Sequence, residues 1–165
     1  MIFSFNALEV FQIAISIEEN GRVFYEKAQA VVDDAEVKEL FKDLGLQEVE
    51  HRKKFETLKA QLPAPAAEPT VWDPDNEAER YLKMMADEHI FGPGSDPGAM
   101  VGKIQNASDA LKAAMGFEKD SIIFFLTMKD ATDELKGREY IDQLVKEEQE
   151  HLRRLALQLR KRTKA

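Results

Sequence analysis

Laid over itself at an offset of 100 residues, the chain repeats without a gap, and this register restricts its fold more than any other feature. Asn6-Ala7 falls on Asn106-Ala107, and Ala14-Ile15-Ser16-Ile17-Glu18 falls on Ala114-Met115-Gly116-Phe117-Glu118. Gly21, Phe24 and Tyr25 fall on Ser121, Phe124 and Phe125, and Glu48-Val49-Glu50-His51 falls on Glu148-Gln149-Glu150-His151. A chain built this way is two copies of one unit, related by a pseudo-twofold axis.

Each copy reads as a helical hairpin. All six prolines lie between Pro63 and Pro97, and four of the eight glycines lie between Gly92 and Gly102, so the helix breakers are confined to the middle of the chain. Residues 7–31, 34–61, 107–130 and 133–162 are proline-free and rich in helix formers, which predicts four long helices. Asn6 with Glu9, Asp33 with Glu36, and Asn106 with Asp109 read as their start signals. Helices of this length span about 40 Å and must bury their apolar stripes against one another. The expected architecture is all-α: one four-helix bundle over 1–165, with a first hairpin over 7–61, a crossover over 62–105 and a second hairpin over 106–162. Asp73-Pro74 predicts a short extra helix from about 75 to 90 in the crossover, with Trp72 pinning the crossover to the bundle.

The repeat also carries the chemistry. The chain has three histidines, and His51 and His151 each follow a glutamate by three residues. Positions i and i+3 share a helix face, so each Glu-x-x-His aims two metal ligands in one direction. Glu18 and Glu118 add one carboxylate from each of the other two helices. Four glutamates and two histidines converging in mid-bundle form the ligand inventory of a di-iron or di-manganese carboxylate site. Four carboxylates neutralise two divalent cations, and neutral imidazoles complete the coordination without adding charge. Glu18, Glu48 and His51 are assigned to one metal, and Glu118, Glu148 and His151 to the other, with Glu48 and Glu148 as bridges.

The register selects Glu18 over its neighbour Glu19, because Glu118 lies between Phe117 and Lys119 and is the one carboxylate available on the third helix. Glu19, Glu50 and Glu150 are then flanking, solvated carboxylates. Gln47 and Glu147 stand where they can bond the free ring nitrogens of the histidines. Tyr25 is read as core or as a donor to a bridging carboxylate, ahead of a redox-active phenol. His89, the third histidine, is placed at the surface or in dimer packing. Phe11, Ile15, Phe55 and the segment 121–126 are read as core or interface. A plain bundle with solvated glutamates would explain either Glu-x-x-His alone, but not the doubled motif.

Composition removes the competing classes. With no cysteine, the chain has no disulfides, thiolate zinc site, iron–sulfur cluster or cysteine nucleophile. A net charge of −8 argues against nucleic-acid binding by phosphate neutralisation. The basic cluster Arg153, Arg154, Arg160, Lys161, Arg162 and Lys164 suits the negative end of a last helix. No apolar run approaches the roughly 18 residues needed to cross a bilayer, and no leader-like segment is seen, so a cytoplasmic location and no membrane partner are expected.

The doubled pattern of Glu18, Gly21, Tyr25, Glu48 and His51, then Glu118, Ser121, Phe125, Glu148 and His151, resembles the ferritin-like superfamily, in particular its rubrerythrin and bacterioferritin branches. The resemblance spans both hairpins. It implies two iron ions at a non-haem centre that oxidises iron(II) with dioxygen or hydrogen peroxide, fed by an unknown electron donor. The oxygen and nitrogen donor set also accepts manganese or a mixed pair. Unlike rubrerythrins, this chain has Ser121 in place of an additional carboxylate, and it lacks the cysteines of a rubredoxin module. A chain ending soon after its fourth helix is not expected to build the large shell of cage ferritins. The apolar crossover helix suggests a homodimer. Iron storage or delivery, and a helical interaction domain with a structural metal, are the alternative functions.

Overall fold

The computed structural model describes residues 7–61, 84, 89, 92, 94–131 and 138–163. Its long helices are α1 (Ala7–Val31), α2 (Ala35–Ala60), α4 (Ala107–Ala131) and α5 (Arg138–Thr163), with a short α3 (Pro97–Val101) leading into the second hairpin. The described elements are all helical, and they pack as the two-hairpin bundle that the repeat predicts. The expected crossover helix, Trp72, the Asn6 cap and the start of the last helix at 133 lie outside the described residues.

Packing follows the repeat. α1 lies along α2 and α4 along α5, and the hairpins meet through α1 against α4 and α2 against α5. The last pair runs antiparallel. Arg154 reaches Asp43, Lys161 reaches Glu36 and Arg162 reaches Asp34, so rising numbers in α5 meet falling numbers in α2. The basic end of the chain thus serves as an interhelix clamp on the acidic start of α2. The exposed pairs add little, but Arg162 grips both oxygens of Asp34, at 2.5 and 2.8 Å.

The start of α2 is shifted by one residue from the expected one. The cap of α2 is Asp34, not Asp33: its extended backbone lets Oδ1 accept from Val37 N at 3.1 Å, while Val32 is buried and its N–H closes α1 on Ala28. At α4 the expected cap forms, with Asn106 Oδ1 accepting from Asp109 N at 2.9 Å and its amide donating to Asp109 Oδ2 at 3.0 Å. In α3, Asp96 caps and Pro97 takes the first turn.

Aromatic rings fill the interior. Phe24, Tyr25, Phe41, Phe55, Phe117, Phe124 and Phe125 are fully buried. Tyr25 contacts Phe24, Phe41 and Phe117 at 5.5, 5.4 and 6.1 Å between centroids, and Phe55 stacks on Phe125 at 5.4 Å. These rings brace the helix faces that carry the six candidate ligands. Ile123 and Leu126, inside the segment read as core or interface, are 49% and 41% exposed on the outer face of α4.

Candidate metal centre

Four helices each deliver the residues that the repeat singled out. Glu18 comes from α1, Glu48 and His51 from α2, Glu118 from α4, and Glu148 and His151 from α5. All four carboxylates are 0% exposed, and the histidines are 4% and 1% exposed. Burying four acids together is costly unless something compensates them.

The ring nitrogens show how the cluster is arranged. His51 Nδ1 lies 3.1 Å from Glu148 Oε1, 3.4 Å from Glu18 Oε2 and 3.7 Å from Glu48 Oε2. His151 Nδ1 lies 3.1 Å from Glu148 Oε2, 3.5 Å from Glu118 Oε1 and 3.6 Å from Glu48 Oε1. Glu48 and Glu148 therefore turn one oxygen to each histidine, whereas Glu18 and Glu118 each serve one. The two rings stack at 5.7 Å with 17° between planes.

Two overlapping groups result: Glu18, Glu48, His51 and Glu148, and Glu48, Glu118, Glu148 and His151, each with ligand atoms within 4.8 Å of one another. Both oxygens of Glu18, Glu48 and Glu148, Oε2 of Glu118 and Nδ1 of both histidines are buried without a hydrogen-bond partner among the described residues. Buried polar atoms are nearly always paired. Nine such atoms converging from four helices fit a pair of divalent cations in donor type, number and charge.

A ring of outer contacts holds these side chains. His51 Nε2 donates to Glu147 Oε2 at 2.9 Å, and His151 Nε2 donates to Gln47 Oε1 at 3.0 Å, so each histidine is held by the opposite hairpin. Tyr25 donates its hydroxyl to Glu118 Oε1. Its acceptor is thus the third-helix glutamate and not a bridging one, because Tyr25 Oη crosses from α1 to α4 at the level of Glu118. Glu19 is held by Arg22 and Arg52, at 2.8 and 2.5 Å, while Glu50 pairs with Lys53 and Arg153 partners Glu150, all off the central face.

The electrostatics are those of crowded acids. Burial, then Glu48, raises Glu18 well above the carboxylate range, and burial, then Glu148, does the same to Glu118. Glu148 moves the other way: burial opposes its charge, but Glu118 and both imidazoles outweigh it. Burial disfavours charge on His151 as well, yet Glu118 and Glu148 push it up to about 11. His51 rises for the same reason, against burial and through Glu147, Glu148, Glu18 and Glu48. Protons on these acids and imidazoles do the balancing that cations would otherwise do.

Some features were not legible in the sequence. His89, expected at the surface or in dimer packing, is 5% exposed within the single chain: its Nε2 lies 3.2 Å from Ser121 Oγ, and its ring meets Phe117 and Phe124 edge-on at 5.9 and 6.4 Å. Burial pushes its pKa down to about 4, so the ring is neutral. Tyr140 packs on Phe55 at 5.6 Å and buries a hydroxyl that has no partner among the described residues. Asp43 and Gln143 orient the outer ring: Gln47 Nε2 donates to Asp43 Oδ2 at 3.1 Å, and Gln143 Nε2 donates to Glu147 Oε1 at 2.8 Å. Their i, i+4 spacing before Gln47 and Glu147 was the available signal.

No helix among the described residues is long and apolar enough to cross a membrane. The fold is similar to that of a Thermotoga maritima protein described as a candidate ferritin-like diiron-carboxylate protein, with a TM-score of 0.74 and 22% identity over 97% of this chain and 98% of that one. No curated protein matches the chain significantly. The family model described as rubrerythrin matches residues 9–159, and the chain, which carries the helices and the carboxylate and histidine cluster within that span, belongs to the rubrerythrin family.

Proposed function

We propose that this protein is a non-haem di-iron carboxylate protein that oxidises iron(II) with hydrogen peroxide or dioxygen. The observation that carries the reading is the placement of Glu48 and Glu148, each with one oxygen toward His51 and one toward His151. The similar Thermotoga maritima protein, described as a candidate diiron-carboxylate protein, supports a metal pair here. Glu18, Glu48, His51 and Glu148 would hold one ion, and Glu48, Glu118, Glu148 and His151 the other. When bound, two iron(II) ions supply two electrons, which with two protons convert hydrogen peroxide to two waters.

The chain's own residues prepare for that chemistry. Glu147 and Gln47 accept the Nε2 hydrogens and so turn Nδ1 of each histidine inward. Tyr25 holds its proton, because burial and then Glu118 raise its pKa, and it orients the Glu118 carboxylate. Phe55, Phe125, Leu44 and Leu144 are fully buried around the ligand turns and keep bulk water from them. The test is to load the metal-free protein with iron(II) without oxygen, then mix it rapidly with peroxide or aerated buffer while recording near-ultraviolet absorbance. Oxidation many times faster than that of iron(II) in buffer is expected; equal rates would contradict the reading.

A further inference from the structure

The outer ring breaks the symmetry of the repeat in a particular way. Positions 43 and 47 of α2 are Asp and Gln, whereas their counterparts 143 and 147 of α5 are Gln and Glu. Each helix thus carries one acid and one amide a turn apart, in opposite order. The amide always anchors its neighbour: Gln47 Nε2 donates to Asp43, and Gln143 Nε2 donates to Glu147. The residue left facing a histidine therefore differs. His51 meets a carboxylate, Glu147 Oε2 at 2.9 Å, and His151 meets a neutral amide oxygen, Gln47 Oε1 at 3.0 Å. The negative charge of Asp43 is also drawn away from the site by Arg154, 2.7 Å from Oδ2.

A second difference points the same way. Tyr25 donates to Glu118, but its counterpart in the repeat is Phe125, which has no donor to offer Glu18. A hydrogen bond to a carboxylate draws charge from its oxygens, so Glu118 is the poorer donor to a cation. Both oxygens of Glu18 are without any such partner among the described residues.

We infer that the two metal positions are unequal and fill in order: the Glu18 and His51 position, backed by Glu147, loads first, and the Glu118 and His151 position, backed by Gln47, loads second. Glu147 is a positioning residue that acts through His51, making the imidazole a stronger donor and adding negative charge near the cation. This inference rests on the dinuclear reading above. Changing an outer hydrogen-bond partner of a ligand histidine typically changes metal affinity by about 10- to 100-fold, which sets the size of the expected gap.

Cobalt(II) is the probe, titrated into the metal-free full chain by calorimetry and followed by proton NMR of the imidazole N–H signals shifted by the bound metal. Two ions should bind in steps about 10-fold or more apart in affinity. At one equivalent a single shifted N–H should dominate, and it should move in Glu147→Gln but not in Gln47→Glu. Glu147→Gln keeps an acceptor for His51 and removes only the charge, so it should weaken the first step by about 10-fold or more and narrow the gap between the two steps to what Tyr25 alone maintains. Asp43→Gln with Gln47→Glu copies the other half of the outer ring and should tighten the second step. Two equal steps in the parent chain, or a first step indifferent to Glu147→Gln, would overturn the inference and leave the dinuclear site intact. Failure to bind any cobalt would overturn both.

Discussion

Gly21 on α1 lies so close to Phe117 on α4 that a Cβ there would strike the ring, meeting Cζ and sitting 2.8 Å from Cε1. The ring has little room to retreat, because it also packs against Tyr25 and His89 at 6.1 and 5.9 Å. Phe117 is the residue before Glu118, so this contact sets how near α4 brings the Glu118 carboxylate to α1. In mid-helix, Gly21→Ala should gain up to about 1 kcal/mol of helix propensity and lose about 1 to 3 kcal/mol to overpacking. The expected net effect is destabilisation, read as a lower urea midpoint, with recovery in Gly21→Ala combined with Phe117→Leu. A raised midpoint in the single variant would show that the helices are not held at this distance.

Tyr25→Phe should be costly for its size. It removes one hydroxyl but leaves Glu118 Oε1 buried without its donor, which is worth about 1 to 3 kcal/mol in the metal-free protein. Denaturant unfolding of the metal-free variant measures it, and an unchanged midpoint would mean that the bond is not made in solution.

Loading with divalent metal should release protons. Glu18, Glu118, His51 and His151 all have raised pKa values in the metal-free chain, and a bound cation takes the place of the protons they hold. Calorimetric titration in buffers of differing ionisation enthalpy should report net release, to a limit of four protons per chain, one from each of these groups. Binding without proton release would contradict the crowded-acid description of the site.

His89 makes the fold sensitive to mild acid. Its folded pKa is about 4 against an ordinary 6.5, so the unfolded chain takes a proton that the buried ring refuses. Its contribution is present above pH 6.5 and is lost as the pH falls toward 4, to a total of about 3 kcal/mol. Melting temperatures between pH 7 and pH 5 should therefore fall more steeply for the parent chain than for His89→Gln. Parallel profiles would place His89 in solvent.

What the sequence disclosed, and what it withheld, follows from where the repeat applies. Glu18 and Glu118 were distinguishable from their neighbours because two helices in one register must present equivalent faces. Gln47 and Glu147 were recognisable as partners of histidines, but not which histidine each would meet, since that depends on α2 and α5 packing antiparallel face to face. Tyr140 has Leu40 as its counterpart, so no comparison between halves could mark its buried hydroxyl. His89 has no equivalent in the repeated halves, and a histidine after Asp87-Glu88 reads as solvated until Phe117, Phe124 and Ser121 are seen around it. The exchange of acid and amide between positions 43, 47, 143 and 147 was visible in the register, yet it acquires meaning only from the hydrogen bonds.

The most direct measurement is the anaerobic iron(II) stoichiometry of the metal-free chain beside Glu48→Ala and Glu148→Ala, each of which removes a carboxylate that faces both histidines. Two irons per chain in the parent, and fewer than two in each variant, is the expected result. Fewer than two in the parent, or two retained in either variant, would contradict a metal pair shared between Glu48 and Glu148.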